Sequence, residues 1–229
     1  MIDHVRDLAS LREATDRLLT AVAALDNGAL AEPSRLPGWS RGHVLAHLAR
    51  NADALVNVFE GRPMYESAAA RESDIERDSG RPLQEQLADL RHSAAAFDAV
   101  CERPADWSRT VELRNGVKDS AARIPFRRLV EVELHHVDLG IGYELEDLPA
   151  AFTAREVEFL ADRWAGLPEV PPTALVASDG GTWRTGSAGE PQVTVTGTAA
   201  QLLAWLSGRA DKGASLTTSG GPLPALPPL

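Results

Sequence analysis

The sequence predicts a mainly α-helical chain with an α+β C-terminal part: a four-helix bundle followed by a small module of short strands and two helices. Three observations carry this expectation. Apolar residues recur at helical spacing before about residue 145. Short β-rich runs separated by Gly- and Pro-containing turns take over after Leu148-Pro149. Two capping signatures, Thr153-x-x-Glu156 and Thr198-x-x-Gln201, open helices in that later part. The expected domains are 1–148 and 149–229.

The elements follow in order. The first helix spans 3–26, where Val5, Leu8, Leu11, Leu18, Val22 and Leu25 repeat at helical spacing. Asn27-Gly28, Pro33 and Pro37-Gly38 break the run. Ser40 is placed to cap a second helix over 41–60, with Trp39 before it as a hydrophobic staple. After Gly61-Arg62-Pro63 comes an acidic, arginine-rich stretch that reads as a connection. A third helix runs from about Pro82 to Glu102. TVELRNGVKDS reads as a β-hairpin, because Asn115-Gly116 between extended runs suits a type I′ turn. The fourth helix runs from about 123 to 142.

In the later part, Thr153 is expected to cap a helix that continues to about Ala165. ALVASD, GTWRTG and QVTVTG read as strands, with turns at Asp179–Gly181 and Gly186–Pro191. The helix AAQLLAWLS stops at Gly208. SLTTSG supplies a last strand, and GGPLPALPPL reads as an irregular tail.

Composition bounds the function. At 229 residues and 44% hydrophobic, the chain can bury one large core or two modest ones. A net charge of -10 argues against a nucleic-acid binder, which needs a basic patch. It leaves room for a small anionic substrate, since a few arginines in a cleft set the local sign. Cys101 is the sole cysteine, so no internal disulfide forms, and it reads as a packing residue. The sequence shows no signal-peptide pattern and no apolar run of membrane-spanning length. The expectation is a cytoplasmic monomer that binds neither membrane nor nucleic acid.

Glu131 and His135 are the most informative pair. Four residues apart on a helix, they project from one face. Winding 124–141 at about 100° per residue puts Phe126, Val130, Leu134, Val137 and Ile141 on one apolar stripe, with Val132 and Leu139 roughly opposite. Arg127, Arg128, Glu131, His135 and Asp138 fill one flank between them; Leu129, Glu133 and His136 fill the other. A polar strip walled by apolar residues faces a bundle interior, where charges must pair or bind metal. Spacing alone leaves open a metal site and a buried Glu–His–Arg network. In 41–60, Asn51 falls at the edge of the apolar arc and His47 just beyond it. His47 is therefore the candidate third ligand. His43, in the first turn, lies further toward solvent, although a His43/His47 metal pair has a known spacing. His4, His92 and His136 read as solvated.

Four stretches resemble the mycothiol-dependent maleylpyruvate isomerase family: LPGWSRGHVLAHLARNADAL, RPMYES followed by Arg71, VEVELHHVDLG, and the late SGRAD. The likeness runs nearly end to end. It implies a DinB-like four-helix bundle carrying the metal, then a small domain similar to sterol-carrier-protein folds. It places three zinc ligands on His47, Glu131 and His135, with water or the cofactor thiol completing the shell. It matches Arg209 to an arginine that serves substrate or cofactor. The motifs mark the broad family more sharply than they mark the substrate.

The implied chemistry is coherent. Three protein ligands leave an open position, the mark of a catalytic zinc, although imidazole and carboxylate also suit nickel, iron or manganese. A thiol docking there is deprotonated by the cation. In the isomerase reading, the mycothiol thiolate adds to the double bond of maleylpyruvate, the bond rotates, and elimination leaves fumarylpyruvate. The enolate formed needs a cation, for which Arg128 and Arg209 are candidates. Arg128 could instead partner Glu131, and Arg209 could simply complete a helix dipole. Asn51 could orient the thiol or a water, or be a buried amide cap. Asp138 could fix an imidazole tautomer. Two other readings stay open: a zinc-dependent mycothiol S-transferase that keeps the adduct, and a non-catalytic ligand-binding module.

Overall fold

The computed structural model describes residues 2–103, 105–209 and 213–227. The chain divides into two compact units, Met1–Tyr143 and Glu144–Leu229.

In the first unit, α1 (His4–Ala23) starts where the Asp3 side chain accepts the Arg6 amide. Asn27-Gly28 does not simply break the chain. Asp26 caps the Ala29 amide at 2.8 Å and opens a short helix, α2 (Asn27–Ala31). α3 (Arg41–Phe59) begins with a reciprocal cap: Ser40 accepts from the His43 amide, and His43 Nδ1 accepts from the Ser40 amide. α5 (Leu83–Cys101) and α6 (Ile124–Asp138) complete the long helices. α1 packs on α5 and α6, and α3 packs on the same two. Their shared core includes fully buried Leu18, Leu45, Leu48, Leu87, Phe97 and Phe126. Each such side chain stabilises the fold by about 1.5–3 kcal/mol relative to leaving it in water.

The arginine-rich stretch expected to be a connection is a helix, α4 (Ala68–Ser79), capped by Ser67. Only Ile75 and Asp78 on it are buried, so it has no apolar stripe to read. Charge holds it instead. Asp78, 1% exposed, meets Arg50 at 3.2 Å, Arg77 at 2.9 Å and Arg81 at 2.6 Å, and Arg50 also grips Asp89 of α5 at 2.7 Å. A buried carboxylate persists only with such partners. Gly42 lets α3 approach this helix: a Cβ there would sit 2.2 Å from the Ser79 carbonyl oxygen.

Strands β1 (Thr110–Glu112) and β2 (Lys118–Ser120) form the expected antiparallel hairpin. Asn115 and Gly116 both take positive φ, +60° and +72°, as a type I′ turn requires. The next helix, α6, ends four residues before the expected 142. Gly140, at φ +63°, turns the chain away, and Arg41 Nε and Nη2 donate to the carbonyls of Leu139 and Gly140.

In the second unit, α7 (Ala150–Arg163) starts at Pro149, not at Thr153. Thr153 lies inside the helix and returns its hydroxyl to the Pro149 carbonyl. Strands β3 (Thr173–Ala177), β4 (Thr182–Thr185), β5 (Val193–Gly197) and β6 (Thr217–Ser219) form one mixed sheet in the order β4-β3-β5-β6. β3 pairs parallel with β5; the other pairs are antiparallel. α8 (Ala199–Leu206) opens with the expected Thr198–Gln201 capping box. It closes through Gly208, at φ +69°, with the Arg209 amide donating to the Ala204 carbonyl at 2.8 Å. α7 packs on β4, and α8 on β3 and β5. Ala210 and Asp211 of SGRAD, and Pro228 and Leu229 of the tail, lie outside the described residues. Among the described residues, no helix is long and apolar enough to cross a membrane.

Candidate metal centre

α3 supplies His47, and α6 supplies Glu131 and His135 one turn apart. Glu131 Oε2 lies 3.0 Å from His47 Nε2 and 3.2 Å from His135 Nε2. The two imidazoles meet edge-on, with ring centroids 4.7 Å apart. One ligand atom from each residue fits within a 4.8 Å group, so a single cation can touch all three. The His47 and His135 side chains are 8% and 13% exposed, but Glu131 keeps 33%. The point of convergence is therefore open on its Glu131 side.

Electrostatics agree with that use. Burial alone would raise the Glu131 carboxyl, but hydrogen bonds from His135 and His47 overcome it and hold the group well below the usual carboxylate range. Burial opposes charge on His135, yet Asp138 and Glu131 raise its pKa. Asp138 Oδ2 sits 2.8 Å from His135 Nδ1, which leaves Nε2 aimed at the shared point. Burial lowers the pKa of His47, with Glu131 acting against it. A cation held here would take the place of a proton shared between Glu131 and the facing ring nitrogens, so its binding would release protons.

Three neighbours were not among the site residues expected from the sequence. Arg71, on the unforeseen α4, points Nη2 at His47 Nδ1 from 3.2 Å. Tyr65 lies under the same guanidinium, 5.8 Å from ring centroid to Cζ. Trp39, expected as a staple, sets its ring 5.5 Å from that of His47. The signal available was the Ser67 cap just before Arg71, which opens α4 at this point.

Arg128 is 3% exposed and donates to Asn51 Oδ1 at 2.8 Å. Burial brings its pKa down to about 10. These two candidates thus bind each other. Arg209 is half-buried, and its Nη1 lies 3.3 Å from the Ser207 carbonyl oxygen. Cys101 is buried, which pushes its thiol up to about 12, unsuited to a nucleophile.

His136, expected to be solvated, is 3% exposed and stacks on Tyr143 at 4.1 Å. Tyr143 donates to Glu133, which also takes Arg17. Among the described residues neither ring nitrogen of His136 has a hydrogen-bond partner, and burial lowers its pKa to about 4. The unfolded chain therefore binds more protons between about pH 6.5 and 4. The stability gained from the neutral ring is complete above that window and is lost as pH falls through it. Relative to His136→Phe, the metal-free wild type is expected to lose on the order of 2 kcal/mol over that range in denaturant unfolding. Parallel pH curves for the two proteins would refute this.

Fold and site together define a two-unit protein whose helical unit holds a His–Glu–His group suited to a divalent cation. More particularly, the chain belongs to the mycothiol maleylpyruvate isomerase family. Residues 11–140 match the mycothiol maleylpyruvate isomerase N-terminal domain, and 147–228 match the MDMPI C-terminal domain. A crystal structure of the mycothiol-dependent maleylpyruvate isomerase is 26% identical, covers 99% of this chain and 97% of that one, and superposes with a TM-score of 0.85. A histidine-to-alanine mutant of that enzyme gives 27%, the same coverage and 0.86. No curated protein matches the chain.

Proposed function

We propose that this chain is a mycothiol-dependent maleylpyruvate isomerase that converts maleylpyruvate to fumarylpyruvate with a zinc ion at His47, Glu131 and His135. The supporting observation is the convergence of those three side chains, from two helices, in a fold matched over 99% of its length. With metal and thiol bound, the pair supplies a thiolate at neutral pH that adds to the cis double bond and leaves after rotation.

The chain's own residues prepare the place. Asp138 holds the His135 ring by Nδ1. Arg128 and Asn51 form a buried pair on the same two helices, and the proposed role of Arg128 is to position Asn51 and add positive potential near Glu131. Asn51 is proposed to serve the thiol side of the site. Arg71 donates to His47 Nδ1 and pairs with Glu72, and its proposed role is to add positive charge beside His47 for the negative charge that builds on the substrate oxygen. Arg209, in the second unit, is proposed to hold a carboxylate of the substrate or a polar group of the cofactor, for which a guanidinium fork is suited.

The proposal extends to a DinB-like bundle and a sterol-carrier-like second domain, with the boundary between 143 and 149, and to a monomer working in the cytoplasm. Cys101, buried and unreactive, is compatible with an external thiol as nucleophile. Purified protein assayed with maleylpyruvate is expected to turn over only with mycothiol and only before chelation. Turnover that survives chelation would overturn the metal-dependent reading. Adduct accumulating in step with thiol consumed would make the protein an S-transferase.

A further inference from the structure

A second feature of the helical unit lies outside the metal centre. The loop after α3 and the β1–β2 hairpin enclose a cleft of about 500 Å³, within the range of about 300–1,000 Å³ usual for small-ligand sites. Its lining includes Arg62, Arg109 and Arg114, against one carboxylate, Glu112. Arg62 is neutralised by Glu60. Arg109 donates to the Phe59 carbonyl oxygen at 2.7 Å and lies over the Phe59 ring, and Asp106 feels its charge. Among the described residues, neither Arg109 nor Arg114 has a carboxylate within ion-pair distance, and Arg114 is exposed. With Arg62 paired to Glu60 and Glu112 on the lining, Arg109 and Arg114 leave the cleft net positive, a local reversal of sign on a chain of net charge -10.

The cleft is also held in shape. The Arg114 amide donates to Met64 Sδ at 3.0 Å, which ties the hairpin turn to the loop. Tyr65, another lining residue, stands beneath Arg71, and Arg71 reaches His47. Two side chains therefore separate the cleft from a metal ligand.

We propose that this cleft is a carboxylate-binding subsite with Arg114 and Arg109 as its cations. It takes a small organic dicarboxylate; that this ligand is the substrate's own carboxylate arm rests on the isomerase reading above. Guanidinium groups bind carboxylates through paired, charge-assisted hydrogen bonds, which explains arginine here in place of lysine.

Maleate, a dicarboxylate that needs no thiol to bind, is the probe. In calorimetric titrations of the full metal-loaded chain, wild type is expected to bind it with an affinity that falls as salt rises. Arg114→Ala is expected to weaken binding about tenfold, with partial recovery in Arg114→Lys. His47→Ala is expected to bind maleate as wild type does. With maleylpyruvate as substrate, Arg114→Ala raises KM about tenfold and leaves kcat within about twofold. Wild type that fails to bind maleate, equal binding by wild type and Arg114→Ala, or binding lost in His47→Ala, would each overturn the cleft. Maleate bound as expected without any maleylpyruvate turnover would keep the subsite and overturn the isomerase reading.

Discussion

Glu131→Ala is expected to purify without metal. The carboxylate is the single group that both imidazoles face, at 3.0 and 3.2 Å, and removing it leaves two nitrogen ligands with no anionic partner between them. Loss of a partner behind a ligand, as in Asp138→Asn at 2.8 Å from His135, costs roughly 10–100-fold in metal affinity. Loss of the ligand itself is expected to exceed that range, and His47→Ala should behave alike. Metal per chain after equilibrium dialysis, measured by elemental analysis, distinguishes the two variant classes. Wild-type occupancy in Glu131→Ala would remove this residue from the ligand set.

Arg209→Ala is expected to keep its metal and lose activity by about 10–10²-fold, the usual cost of losing a charge-assisted hydrogen bond to a carboxylate or a polar group. The helix stop depends on Gly208, at φ +69°, and on the residue 209 amide, both of which alanine preserves. The comparison needs kcat, metal content and a thermal melt on the same preparation. Full activity would reduce Arg209 to a cation completing the α8 dipole.

The His47–Glu131–His135 cluster was legible because two of its residues share a four-residue helical spacing and the third sits beside the apolar arc of its own helix, though spacing did not separate a metal site from a buried polar network. Both signals are local. α4 was invisible for the opposite reason. Its hold on the fold is a set of ion pairs that Asp78 makes with Arg50, Arg77 and Arg81, and apolar periodicity does not record such partners. Without α4, Arg71 could be named with the RPMYES stretch but given no role, since it is that helix that brings it to His47. His136, which shares its flank with Glu133, is buried and not solvated as expected. The flank is instead lined by Tyr143 and Arg17, which come from 10 and 116 residues away in sequence from Glu133. The early end of α6 was within reach, since Gly140 is the residue that a left-handed stop requires.

Cobalt-substituted protein titrated with mycothiol tests the central claim most directly. Three ligands and one vacant position predict a tetrahedral visible spectrum, and a sulfur-to-cobalt charge-transfer band that grows to one thiol per metal. In His47→Ala neither feature should form. A wild-type spectrum that ignores the thiol, or a fully loaded His47→Ala protein with an unchanged spectrum, would contradict the account.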